Sequence, residues 1–276
     1  MQKQRLSIGR LALYIISYSV IILWLVPMLW MVLTSIKPDG SPVTVLSALV
    51  TPPFSLENFI FITESASIWR WTINSVYIAV VTTVATLTVT SLAAFALSRI
   101  PFKGKKWVFW VIIAGLMVPT EATIVPLFLM MVENGLINSY SSIILPSIAA
   151  PLGVLILKQF YDNIPKELVE AATIDGAGLF RVYWSIFLPL SRSSMAALAI
   201  FTFISSWNNF LWPYLAITSE EMMTLPVGIP LFQSAYTGEL TRPMAANMLA
   251  SLPALIVFIL FQRHIIKGIT MTGIKG

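Results

Sequence analysis

The 276-residue chain has no cysteine and a single histidine, and only 11% of its residues are charged. Without thiols there is no disulfide framework and no thiolate chemistry. His264 standing alone rules out a multi-histidine metal site, and no acidic cluster recurs at ligand spacing, so no metal is expected. Soluble globular domains carry about 25% charge. Here 57% of residues are apolar and the mean hydropathy is +0.85. A chain so composed has too little polar side chain to clothe a surface in water, and its outer face is expected to meet lipid. The sparse cations are not gathered into the basic patch of a nucleic-acid binder, so no nucleic acid is expected as partner. No phosphate cradle of the form GxxxxGK[ST] occurs, and glycines stand singly, as at Gly104 before Lys105. The chain is therefore expected to bind no cofactor and to hydrolyse no ATP itself.

What is abundant is long apolar sequence. A helix needs roughly 20 apolar residues to cross about 30 Å of hydrocarbon. Six stretches approach or exceed that length: residues 11–36, 71–98, 107–132, 139–157, 193–218 and 243–262. Barrel strands would be about 10 residues long and alternate in polarity, so these read as helices. The expected fold class is an all-α polytopic membrane protein with six transmembrane helices. Pro27, Gly115, Pro119, Pro126, Pro146, Pro151 and Pro253 lie within or beside these runs and predict kinks and packed interiors. Lys3, Arg5 and Arg10 precede the first run, which is longer than a signal core and is followed by no prompt small-x-small site, so it reads as a retained span.

Lysine and arginine sort the connections into two sides. One side holds Lys3, Arg5, Arg10, Arg99, Lys103, Lys105, Lys106, Lys158, Lys166, Arg181, Arg192, Arg263, Lys267 and Lys275; the other holds Lys37, Arg70 and Arg242. The positive-inside rule then places both termini in the cytoplasm, and an even number of spans agrees in requiring the termini to share a side. Two connections are long. One is external, at residues 37–70 and rich in Pro and Ser; the other is cytoplasmic, at residues 158–192.

The cytoplasmic connection contains IPKELVEAATIDGAGLFRVYWSIFLPLSR. Pro165 suits a helix start, and Glu167 and Glu170 are favourable near its positive end. Ala171 and Ala172 permit close approach, and Asp175-Gly176 signals a turn. A second helix follows, with Phe180, Tyr183, Trp184 and Phe187 on a broadly common face by their three- and four-residue spacing, and Pro189 ends or bends it. The product is a short helix-turn-helix. On its own physics it fits two descriptions: an interfacial connector between spans, or knobs that fill a groove in another protein.

The same residues carry a resemblance. Glu170, Ala171, Ala172, Gly176, Ile186, Leu188 and Pro189 occupy every fixed place of the pattern EAA, three residues, G, nine residues, I, one residue, LP. That pattern resembles the EAA loop of inner-membrane subunits of binding-protein-dependent ABC importers, and Asp175 before Gly176 resembles the sugar-importer branch. Asn74–Val76 (NSV), SRIPFKGK at 98–105, SWNNFLWP at 206–213 and LPVGI at 225–229 resemble the maltose-type permeases, and the tail FQRHIIKGITMTGIKG at 261–276 resembles their short-tailed G-type subunit. The resemblance spans essentially the whole chain. It implies that Glu170, Ala171, Ala172, Asp175, Gly176, Ile186, Leu188 and Pro189 form the coupling contact with an ATP-binding cassette. It further implies a machine of two different permease subunits, two cassettes that bind ATP and Mg2+, and one extracytoplasmic substrate-binding protein, in a prokaryotic inner membrane. The implied function is half of the import pathway for a sugar or oligosaccharide. A phosphorylated polyol or other solute is the alternative cargo. An ion-coupled secondary transporter is the alternative class, but it should show related halves or coupling carboxylates in the bilayer.

Three polar features remain. Glu121 is the one ionisable residue well inside an expected span, and it reads either as a pathway residue or as a structural hydrogen-bonding group. Asn208 and Asn209, between Trp207 and Trp212, either line the pathway or tie two helices together. His264 reads as an interfacial residue or as a contact that holds the tail near the cassette. The orientation is tested with single cysteines in this cysteine-free chain. In intact cells an impermeant thiol reagent is expected to label cysteines placed at Ser41 and Ser139 and to spare those at Lys103 and in the tail; the inverse pattern refutes the assignment.

Overall fold

The computed structural model describes residues 8–65, 67–235 and 240–273, with side chains at all of these but 8, 65, 232–235 and 263–273. Among the described residues the regular structure is entirely helical. The helices are α1 (Ile8–Ser35), α2 (Leu46–Val50), α3 (Glu57–Ser65), α4 (Ile68–Arg99), α5 (Lys105–Ala114), α6 (Thr120–Glu133), α7 (Tyr140–Ser147) and α8 (Pro151–Asp162). They continue with α9 (Lys166–Ile174), α10 (Leu179–Val182), α11 (Leu188–Leu190), α12 (Arg192–Trp207), α13 (Leu211–Ala216), α14 (Leu225–Ala235) and α15 (Thr241–Gly273).

Three helical stretches are long and apolar enough to cross a membrane alone: Gly9–Ser35, Ile68–Arg99 and Thr241–Gln262. They coincide with the runs at 11–36, 71–98 and 243–262. The backbone of α15 continues as helix to Gly273, through most of the segment expected as a tail. His264 and the other side chains of that segment lie outside the described residues. Three further stretches reach membrane-crossing length only as bent pairs, with angles of 103° after Met117, 41° after Ile148 and 76° after Leu190.

The run at 107–132 is thus not one rod. Val118 adopts an extended conformation (φ −86°, ψ 117°) ahead of Pro119, as the proline ring demands, and a 3-10 turn at Gly115–Met117 precedes it. The run at 139–157 bends where Ala150 precedes Pro151, and its second helix extends to Asp162. The run at 193–218 is interrupted: α12 closes at Trp207 and α13 opens at Leu211.

The chain divides into two compact units, residues 1–68 with 229–251 and residues 69–228 with 252–276. In the first, the Pro- and Ser-rich connection is folded and not loose. Lys37 is 2% exposed; its ammonium donates to the carbonyls of Thr51 and Pro53 and lies 4.5 Å from the Phe54 ring centroid. Asn58, fully buried, donates to the carbonyls of Ser35 (3.1 Å) and Lys37 (2.6 Å). Asp39 pairs with Arg242 at 2.6 Å, and that guanidinium lies 4.0 Å from the Phe61 ring centroid. Burying an ammonium or an amide is tolerated only with such partners.

In the second unit α4 presents a stripe of small and hydroxylated residues, Ser75, Ala79, Thr82, Thr86, Thr90 and Ala94, all buried. Small residues let helix backbones approach closely in lipid, where there is no hydrophobic drive between helices. The approach is tight at Gly153 of α8, where an added Cβ would lie 2.9 Å from Thr90 and 3.0 Å from Leu198. Thr86 donates to the carbonyl of Ser147 at 3.3 Å. At the other end of α4, Trp71 Nε1 donates to the Glu220 carbonyl (2.9 Å), and Asn74 Nδ2 donates to those of Glu221 and Met223 (each 2.9 Å). Tyr140 donates to Asn74 Oδ1 at 2.8 Å, and Ser75 Oγ accepts from the Leu225 N–H at 2.7 Å. Gly228 sits against Trp71 so closely that a Cβ there would fall 2.1 Å from the ring. Gly228→Ala is therefore expected to destabilise the subunit by about 1–3 kcal/mol, the usual cost of overpacking. Thermal unfolding of the purified protein reads the shift; an unchanged midpoint contradicts the packing.

Candidate functional site

The hairpin at 158–192 is built as two helical arms joined at a glycine. Pro165 precedes the first turn of α9, where its missing N–H costs nothing. At the other end Gly176 has φ +79°; its N–H donates to the Thr173 carbonyl (3.0 Å), and the Ala177 N–H donates to that of Ala172 (2.9 Å). This pair of bonds is a Schellman closure, with the left-handed position taken by the residue that adopts it without strain. Ala172 and Ala177, which close it, pack against the buried cluster below.

The second arm runs through α10, a π-helical turn at Tyr183–Phe187 and α11, then turns 76° into α12 at Ser191. The wide turn lies just ahead of Pro189. A proline ring clashes with the carbonyl four residues back, here that of Ser185, and opening the helix relieves the clash.

The turn seats two rings. Tyr183 and Phe187 are buried with Phe95 of α4, Tyr161 of α8 and Leu198 of α12. Ring centroids lie 5.3 Å apart for Phe95–Tyr183, 4.9 Å for Phe95–Phe187 and 5.2 Å for Tyr161–Phe187. The Tyr183 hydroxyl is 2.7 Å from Ser91 Oγ. Arg99 stacks its guanidinium 5.1 Å from the Phe187 centroid and donates to the carbonyls of Tyr161 and Ile164. Aromatic contacts of this geometry add about 0.5–1.5 kcal/mol each beyond burial.

The four aromatic residues expected on one face divide in two. Phe180 is 73% exposed and Trp184 62% exposed; they stack on each other at 6.4 Å and 19°. Residues four apart share a helical line, so 180 pairs with 184 and 183 with 187, and the core takes only the second pair. Ile174 and Leu179 are exposed as well. Trp184, Leu188, Pro189, Arg192 and Met195 line an adjoining cleft of about 420 Å3.

The motif residues divide in the same way. Ala172, Ile186 and Leu188 pack against the cluster, while Glu170, Ala171, Asp175 and Gly176 are exposed. Pro189 is half-buried at the bend. Space beyond Gly176 is open. Ser91 and Phe95, within the run at 71–98, and Arg99 and Tyr161, just past the ends of two runs, seat the hairpin, and nothing in their local sequence signals that role.

The polar candidates are placed elsewhere. Glu121 occupies the first turn of α6, just past the 103° bend, and is exposed; its charge is favourable at that helix start. It therefore does not sit mid-helix as the unbroken span implied. Asn208 caps the end of α12 and Asn209 follows in the break before α13. Asn208 is exposed, Asn209 is half-buried, and neither side chain makes a hydrogen bond among the described residues. No hydrogen bond among the described residues joins Glu121 or these asparagines to the hairpin. No group of three or more His, Asp or Glu side chains able to hold a metal occurs among the described residues.

Residues 86–271 match the family model described as "Binding-protein-dependent transport system inner membrane component". The chain belongs to that family. It is a permease subunit, without a nucleotide motif of its own. It is 38% identical over 253 residues to the arabinooligosaccharides transport system permease protein of Halalkalibacterium halodurans, covering 91% of each chain. It is 34% identical over 273 residues to the trehalose/maltose transport system permease protein of Thermococcus litoralis, covering 97% of each. A solved bacterial ABC transporter involved in alginate import matches at TM-score 0.80 and 20% identity, over 93% of this chain and 98% of that one, which establishes a shared fold.

The division of the hairpin yields a stability contrast. Tyr183→Ala is expected to cost about 3–5 kcal/mol, as for other buried aromatics. Trp184→Ala is expected to stay within about 0.5 kcal/mol, as for surface positions. Comparable losses in thermal unfolding of the purified protein refute the assignment of one ring to the core and the other to the surface.

Proposed function

We propose that this chain forms half of the translocation pathway of an ATP-driven importer for a sugar or oligosaccharide. The carrying observation is the hairpin itself, a rigidly seated element that projects Glu170, Ala171, Asp175, Phe180 and Trp184 from a chain with no nucleotide motif. Energy must then enter by mechanical contact. Ile174, Leu179, Phe180 and Trp184 supply the apolar knobs, and Glu170 and Asp175 the polar ones. The partner is an ATP-binding cassette, two of which carry ATP and Mg2+. The oligosaccharide and disaccharide transport relatives support a carbohydrate cargo, and the sequence pattern of the maltose G-type subunit supports pairing with a second, different permease subunit and an extracytoplasmic binding protein.

On this reading the runs at 11–36, 71–98, 107–132, 139–157, 193–218 and 243–262 are the six spans of a prokaryotic inner-membrane protein, with both termini and the 158–192 hairpin cytoplasmic. Glu121 and the two asparagines sit at breaks in those spans, with unpaired polar groups that suit a pathway lining. Alternating access follows if the seated hairpin moves with α4, α8 and α12 when the cassettes close.

The test is a pair of substitutions in the assembled complex, purified through a tag on this subunit. Gly176→Leu imposes roughly 1–2 kcal/mol of backbone strain and adds bulk on the partner side, where this chain offers no obstruction. It is expected to lose cassette recovery and substrate-stimulated ATPase while the membrane subunit persists; Glu170→Ala should do so more mildly. Full cassette recovery with undiminished stimulation in Gly176→Leu refutes the coupling role. A screen of sugars and polyol phosphates on the binding protein tests the cargo separately.

A further inference from the structure

At the basic end of α4 the chain forms a pocket of about 370 Å3 lined by Leu97, Ser98, Lys105, Lys106, Phe109, Lys158 and Asp162. Three helices build it: the end of α4, the start of α5 and the end of α8. Three ammonium groups meet one carboxylate there, and the carboxylate is already engaged. Asp162 accepts from Lys158 at 2.6 Å and from Ser98 Oγ at 2.7 Å. Lys105 donates to the carbonyls of Ser98 (3.0 Å) and Ile100 (3.2 Å), which fixes its position without neutralising its charge. Lys158 also lies 4.9 Å from the Phe109 ring centroid. Lys106 meets no carboxylate among the described residues.

We infer that this pocket binds the phosphate of an anionic membrane phospholipid. Like charges held this close repel unless an anion joins them, and the internal anion falls short by two charges. The setting favours a lipid over a free ion. Trp107, Val108, Trp110 and Val111 are exposed on α5 directly beside the lysines, and Leu97 and Phe109 form the pocket wall. Tryptophan beside lysine at the end of an apolar helix marks the membrane–water boundary. A phosphodiester there meets the ammonium groups while its acyl chains lie along the apolar flank. Basic pockets between membrane helices recognise anionic headgroups in this way. Lys105 and Lys106 on α5 and Lys158 on α8 thus join those two helices through a lipid, and α8 is one of the helices that seat Tyr183 and Phe187. The inference is independent of which solute is carried.

The test uses the assembled complex in mixed micelles containing phosphatidylglycerol or phosphatidylcholine, with retained lipids counted by native mass spectrometry. Wild type is expected to retain phosphatidylglycerol in preference. Lys106→Gln should weaken that retention about fivefold, the effect of one basic residue near an anionic lipid. Lys106→Arg, which keeps the charge, and Lys103→Gln, which removes one outside the pocket, should match wild type. Equal retention of the two lipids, unchanged retention in Lys106→Gln, or equal loss in Lys103→Gln each overturns the site. Displacement of the lipid by millimolar inorganic phosphate also overturns it, in favour of a free-anion site.

Discussion

Two rings four residues apart, Tyr183 and Phe187, tie the projecting hairpin to the helices beneath it. They reach the core because the π-helical turn ahead of Pro189 brings both inward onto Phe95, Tyr161 and Leu198. With them buried, the remaining residues of the second arm face outward by helical geometry. Without them the hairpin would be a strap joining two apolar stretches, free to move against α4 and α8. The Arg99 guanidinium extends the same tie, since it covers Phe187 and holds the carbonyls at the end of α8.

That arrangement separates a buried seat from an exposed surface within one short segment. Ala172, Ile186 and Leu188 belong to the seat; Glu170, Ala171 and Asp175 belong to the surface, and Gly176 lies at the hinge of geometry between them. A pattern of residues that looks uniform along the chain therefore serves two physical ends. Small residues allow the first arm to lie close to the cluster, while the glycine closes its helix in a single left-handed step. The polar groups left outside then have fixed positions and directions.

The all-α, membrane-spanning character was legible because apolar runs of membrane length admit few alternatives, and the three long helices fall on three of those runs. The turn at Asp175-Gly176 was legible because a left-handed position favours glycine. Other features depend on contacts distant in sequence. Pro119 marks a break, but its 103° angle is set by the extended Val118 and the 3-10 turn before it, and a proline in an apolar run is equally compatible with a slight kink. The connection at 37–70 showed only its Pro and Ser content, and nothing local to Lys37 or Asn58 reveals that both are buried against backbone carbonyls. Spacing alone placed Phe180 and Trp184 with Tyr183 and Phe187, and only the position of Phe95 decides which pair is covered. Glu121 was placed mid-span for the same reason that the span was drawn straight.

The exposed quartet of Ile174, Leu179, Phe180 and Trp184 has a consequence for synthesis. Large apolar side chains on a surface reached by water invite association with whatever is near. On the cytoplasmic placement proposed above, a copy made in excess of its cassettes would present that patch to chaperones and proteases. The hairpin then reports assembly to quality control, and balanced production of the partners becomes a condition for the subunit to survive.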